Sequence, residues 1–141
     1  SITGHKVYST LHCKSPREVY LRLINMGVDS NLLVEALGGI ISQRLIKILC
    51  DDCKEIDKVN NYKNFKLFKK QGCQKCNYTG YITRKLISSV YYLKNSNKKN
   101  IDKNYLCNVH MKYQMEELLS KGKVPYDDYF NFIEGDDLYE L

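Results

Sequence analysis

Four cysteines in two C-x-x-C pairs, Cys50-x2-Cys53 and Cys73-x2-Cys76, with nineteen residues between the pairs, constrain this chain more than any other feature. The spacing suits a four-cysteine zinc site, in which each pair gives two thiolates to one tetrahedral ion. Two disulfides or a redox-active dithiol are the competing uses of the same residues, and a reducing compartment favours metal over disulfides. Four thiolates close the coordination shell and leave no position for an activated water, so the expected metal is structural rather than catalytic. Gly72, just before Cys73, and Thr79-Gly80, just past Cys76, supply the backbone freedom of tight turns around an ion. The lysines between Lys54 and Lys75 help to balance the dianionic charge of zinc held by four thiolates. Cys13 and Cys107 are left over.

Length and charge narrow the remaining classes. A chain of 141 residues, 43% hydrophobic and 27% charged, suits one ordinary globular domain or one modest core with an appendage. A net charge of +6 permits attraction to anions but is mild for a dedicated nucleic-acid binder, so no specific nucleic acid is expected as a partner. No run approaches the roughly 18 apolar residues of a membrane span, and the N-terminus lacks the organisation of a signal peptide. A cytoplasmic protein with no transmembrane segment is expected.

Along the chain, the β-branched and aromatic run from His5 to His12 predicts a buried strand. Ser15, Pro16 and Glu18 form a helix start, with cap, first-position proline and first-turn acid, and Val19, Leu21, Leu23, Ile24 and Met26 supply its apolar side before Gly27 stops it. Ser30 or Asn31 is expected to cap a second helix carrying Leu33, Val34, Leu37, Ile40 and Ile41, with Gly38 and Gly39 allowing close packing or a kink. Leu45–Leu49 predicts a strand running into Cys50. Strand, helix, helix, strand is an α/β rhythm. From Asp51 to Lys75 periodicity is lost, so metal rather than a core is expected to hold that stretch. Leu86–Leu93 predicts a further strand, Lys94–Asn100 a solvated linker, and the remainder a helical tail. The tail carries one stripe of Leu106, Val109, Tyr113, Met115, Leu118 and Leu119, and a shorter one of Tyr126, Tyr129, Phe130 and Ile133.

The run Thr3-Gly4-His5-Lys6-Val7-Tyr8-Ser9-Thr10-Leu11-His12 closely resembles the "TGHxVxSTLH" histidine box of the type II secretion and type IV pilus assembly ATPases. Arg22–Val28 resembles that family's "RLLDMGV", and Ile41–Leu45 its "AQRL". Leu49-Cys50-Asp51-Asp52-Cys53 with Cys73–Tyr81 resembles "LCxxC…CxxCNGTGY". The likeness runs in order from about Thr3 to Arg84, over half of the chain. Where the family continues "GRxGIYEVL", this chain has Thr83–Val90 without the glutamate and the two glycines. Cys13 and Lys14 stand in place of the threonine and asparagine of the family's "LHTN".

The resemblance implies the C-terminal portion of a RecA-like ATPase core over residues 1–49 and a tetracysteine zinc-binding subdomain over 50–93, to which composition and periodicity add a linker over 94–104 and a helical tail over 105–141. It implies a parent that hydrolyses ATP with Mg²⁺ as a homohexameric ring, works at the inner face of the cytoplasmic membrane beside a platform protein, and drives pilin or pseudopilin movement. No G-x-x-x-x-G-K-[ST] occurs in the sequence, so this chain alone is expected to be inactive. His12 is the candidate catalytic residue near phosphate, because ligands of open α/β sheets bind beyond the C-terminal ends of strands. His5 is the weaker candidate: the two histidines are seven residues apart, on opposite faces of a regular strand and roughly 23 Å from each other. Arg22 and Arg44 match family arginines and are candidate nucleotide contacts. A zinc-ribbon module binding nucleic acid, suggested by lysines interleaved with Tyr62, Phe65 and Phe68, is the competing reading, and a protein-interaction module is a third.

Overall fold

The computed structural model of the chain describes residues 4–92 and 109–135. In order these form α1 (Pro16–Asn25), α2 (Ser30–Ala36), β1 (Gly39–Leu49), β2 (Glu55–Ile56), β3 (Phe68–Lys69), a 3-10 turn at Gln74–Cys76, β4 (Tyr81–Tyr92), α3 (Val109–Ser120) and α4 (Tyr126–Gly135). β1 pairs with β4 in one two-stranded sheet. β2 and β3 form the other, antiparallel, with Glu55 opposite Lys69 and Ile56 opposite Phe68. The mixture of helix and strand is the α/β class expected. The described chain divides into two compact units, one of residues 4–42 with 89–92, the other of Gln43–Ser88 with Val109–Gly135.

In the first unit α1 begins where its cap requires. Ser15 accepts a hydrogen bond from the Glu18 N–H at 3.3 Å, and Pro16 occupies the first turn, where its missing N–H costs nothing. α2 is capped one residue earlier than expected: the Asp29 carboxylate accepts from the N–H groups of Asn31 and Leu32 at 2.9 and 3.1 Å. It also ends sooner, at Ala36, and Ile40 and Ile41 belong to β1. The cause is visible in their exposure, 8% for Ile40 against 69% for Ile41, an alternation with the period of a strand rather than a helix. Ile40 and Tyr91 form this unit's buried core, with Val19, Tyr20 and Leu37 packed against them.

The expected strand from His5 to His12 does not form. These residues are irregular, with Val7 67% and Tyr8 91% exposed. Strand propensity measures fit to a paired, half-buried surface, and no strand among the described residues runs beside this segment to complete a ladder. His5 and His12 therefore do not lie on opposite faces of a strand, and His12 does not stand at a strand end.

The second unit has the larger core. Leu49, Ile87, Met111, Met115, Leu119 and Val124 are almost wholly inaccessible. On α3 the buried side chains Met111, Met115, Leu118 and Leu119 follow an i, i+4, i+7, i+8 pattern, while Tyr113, assigned to that stripe from sequence, is exposed. Leu106 and the segment Lys94–Asn100 lie outside the described residues. Tyr129 and Phe132 are the buried residues of α4. The stretch between the cysteine pairs is not without a core: Leu67 is 2% exposed, and Tyr62 packs its ring on Tyr129 and Tyr126 with centroids 5.2 and 5.9 Å apart. Gln114 of α3 places its side-chain amide on β4, accepting from the Ser88 N–H at 3.2 Å and donating to the Ser88 carbonyl at 2.6 Å. That amide makes the two bonds a neighbouring strand would make, and so covers part of a strand edge.

Candidate metal centre

Two short turns build the centre. In the first, which follows directly from the end of β1, the Cys50 carbonyl accepts from the N–H groups of Cys53 and Lys54 at 3.4 and 3.0 Å. In the second, the Cys73 carbonyl accepts from Cys76 and Tyr78 at 3.2 and 2.8 Å. Asn77 and Tyr78 are both left-handed, with φ of 50° and 60°. Gly72 is needed because a Cβ there would lie 2.8 Å from the Tyr78 carbonyl oxygen. Gly80, at φ 78°, lets its N–H turn back toward the Cys76 sulfur, 3.3 Å away.

These turns bring the four sulfurs within 4.8 Å of one another. Cys50 to Cys73 is 3.9 Å, Cys53 to Cys76 3.8 Å and Cys73 to Cys76 3.8 Å. A tetrahedron with metal–sulfur arms of about 2.3 Å has edges of about 3.8 Å. A disulfide needs about 2.05 Å, and all four are free thiols, which disposes of the disulfide alternative.

The electrostatics of the cluster are those of a site made for a cation. Burial, then hydrogen bonding with Cys73 and Cys76, pushes the Cys53 thiol up to about 12, and burial also raises Cys50. Cys76 is lowered to about 6, because the N–H groups of Cys73 and Gly80 both point at its sulfur and outweigh its burial. Four thiolates this close require a positive ion to coexist. Around them, Lys75 pairs with Asp52 at 2.7 Å, and Asp51 is held down to about 2 by hydrogen bonds from Lys123 and then Lys54, both at 2.7 Å. The donor set, edge lengths and charge all fit a tetrahedral thiophilic metal.

The same chain carries a longer sequence signature. A profile of the type II/IV secretion system proteins matches residues 1–125. The chain belongs to that family. It is 38% identical over 97 residues to the putative type II secretion system protein E of Escherichia coli, an alignment covering 62% of this chain and 20% of the relative. It is 38% identical over 89 residues to type II secretion system protein E of Dickeya dadantii, and 36% identical over 91 residues to type II secretion system ATPase E of Vibrio cholerae; each alignment covers 57% of this chain and 18% of the relative. The chain thus spans about a fifth of the length of the curated relatives it matches.

Of the other candidate residues, His5, His12 and Arg22 belong to the first unit. His5 and His12 are exposed. His12 meets Arg22 through its backbone: the guanidinium donates to the His12 carbonyl oxygen at 3.0 Å. Arg44 belongs to the second unit, where its guanidinium lies over the Phe132 ring, 5.2 Å from the centroid. Sequence reasoning missed the groups that tie the centre to the rest of its unit. Lys54, Lys123, Tyr81 with Asp128, and Tyr62 with Tyr129 meet across long separations that no local motif encodes. Among the described residues no helix is long and apolar enough to cross a membrane.

Proposed function

We propose that this chain is the zinc-stabilised C-terminal portion of a cytoplasmic motor ATPase that powers pilin or pseudopilin assembly in a secretion or pilus system. Cys50, Cys53, Cys73 and Cys76 hold one structural zinc. The observation that carries this reading is the near-tetrahedral set of four sulfurs in a chain whose residues 1–125 match the family. ATP and Mg²⁺ belong to the parent assembly, a homohexamer at the inner face of the cytoplasmic membrane working on a platform protein. In it residues 1–49 are part of a RecA-like core, 50–93 the zinc subdomain, 94–104 a linker and 105–141 a helical tail.

His12 is the proposed phosphate-proximal residue, with His5, Arg22 and Arg44 in supporting roles. The Arg22–His12 contact supports this pairing, since it fixes the backbone from which the His12 ring projects. A relative named as an ATPase supports the motor reading. The nucleic-acid reading loses ground because Lys63 is engaged by Glu116 and Lys69 by Glu55, which leaves less free positive charge between the cysteine pairs.

Elemental analysis of the purified chain should give one zinc per molecule, with ATP turnover at background because no phosphate-cradling loop is present. A folded, metal-free chain would overturn the zinc assignment. Sustained turnover that disappears on His12→Ala would overturn the account of an incomplete site.

A further inference from the structure

We propose that Lys54 couples occupancy of the tetracysteine site to the seating of the α3–α4 pair, an inference that rests on the zinc reading. Lys54 follows directly on the ligand Cys53, and its backbone N–H closes the first turn on the Cys50 carbonyl. Its side chain, only 15% exposed, leads away from the cysteines to the turn between the two helices. There the ammonium donates to the Gly122 carbonyl at 2.8 Å and to the Asp51 carboxylate at 2.7 Å, and lies 4.6 Å from the centroid of the Phe68 ring.

The other side of the joint is equally close. Lys123 donates its ammonium to the second Asp51 oxygen at 2.7 Å, and its carbonyl accepts from the Leu49 N–H at 2.8 Å. Gly122, at φ 60°, lies so near Phe68 that a Cβ would stand 2.6 Å from the ring. An exposed lysine pair would carry little weight. This ammonium differs, because it is largely shielded from water and its two hydrogen-bond acceptors sit on different bodies, Asp51 on the first cysteine turn and the Gly122 carbonyl on the helix-connecting turn. If the two bodies separate, it loses partners it cannot replace inside the protein.

The metal decides where the first body sits. With Cys50 and Cys53 bound to one ion, the turn from Cys50 to Lys54 is fixed at two more points; without it, two backbone hydrogen bonds and the Lys54–Asp51 pair are left within that turn. Coupling of this kind is reciprocal: whatever loosens the helix-connecting turn must also weaken the hold on the ion. Groups that brace a metal site from outside its ligands commonly change affinity by about 10- to 100-fold when removed.

The test uses the full chain loaded with zinc. Lys54→Met keeps the aliphatic stem and removes the ammonium; it should still bind one zinc but release it to a chromogenic chelator about tenfold faster. Hydrogen exchange across Val109–Ser120 should rise in parallel. Gly122→Ala, 68 residues from Lys54 in sequence, should also speed zinc release. Release from Lys54→Met at the wild-type rate with unchanged exchange in α3 overturns the coupling while leaving zinc binding intact. Absence of zinc from the wild-type chain overturns both. Should Lys54→Met fail to fold, the wild-type chain decides: stripping its zinc must raise exchange in α3 and α4, and unchanged protection after the metal has left overturns the proposal.

Discussion

In the first unit Ile40 and Tyr91 form a buried cluster on which Val19, Tyr20 and Leu37 lean, and Leu33 and Pro16 are buried besides. In the second, six side chains are almost sealed from solvent, four sulfurs converge, and hydrogen bonds join residues far apart in sequence, as from Tyr62 to Tyr129 and from Tyr81 to Asp128. The first unit combines local signals, its two helix caps, with one long-range contact, Ile40 with Tyr91. The second depends on contacts that form only once distant segments have met. Local organisation is cheap in entropy but weak, whereas long-range organisation fails together when one of its anchors is removed.

Loss of the metal should separate the two units most. Cys53→Ser with Cys76→Ser removes one ligand from each turn, and structural zinc contributes about 10 to 16 kcal/mol in zinc-finger peptides. Buried apolar side chains such as Leu67, Met115 and Leu119 share the load in this unit, so a partly ordered second unit should remain, with protection against exchange falling through residues 43–88 and 109–135. Exchange in α1 should stay at its wild-type level. Equal loss in both units would mean that the metal supports the whole chain.

A core substitution comes next. Leu119 is fully buried, and Leu119→Ala should cost about 2 to 5 kcal/mol through lost burial and the cavity left behind. Val19, only half buried, loses less contact, and Val19→Ala should cost about 1 kcal/mol. Urea unfolding of both variants measures the difference. Similar costs would show that the first unit is packed as firmly as the second.

The same contrast explains what the sequence made legible. The cysteine turns, the Ser15 cap and the sheet strand ending at Leu49 depend on neighbours within a few residues, and each was readable. The run from His5 to His12 was misread because β-branched residues state a preference, not the presence of a partner strand. The α2 stripe was overextended because Ile40 and Ile41 fit both periods, and only their unequal burial decides between them. The packing of Tyr62 on α4 and the Lys54 joint are not legible locally, since their partners lie on α4 and the turn before it, which the sequence presents as a separate tail.

The smallest effect concerns the cap. Ser15 is 7% exposed and accepts from the Glu18 N–H, while the Glu18 carboxylate accepts from the Lys14 N–H at 2.6 Å, so two backbone donors at the start of α1 are satisfied by two side chains. Ser15→Ala leaves the Glu18 donor without that partner and should cost about 1 kcal/mol. In a unit whose helices lean on so small a core, that loss is a large share of what holds α1, and exchange of its amides should quicken about fivefold. Zinc stoichiometry and release rate should not change, because neither ligand turn contains Ser15 or touches its hydrogen bonds. A change in zinc release would mean that a cap in the first unit is felt at the metal site of the second.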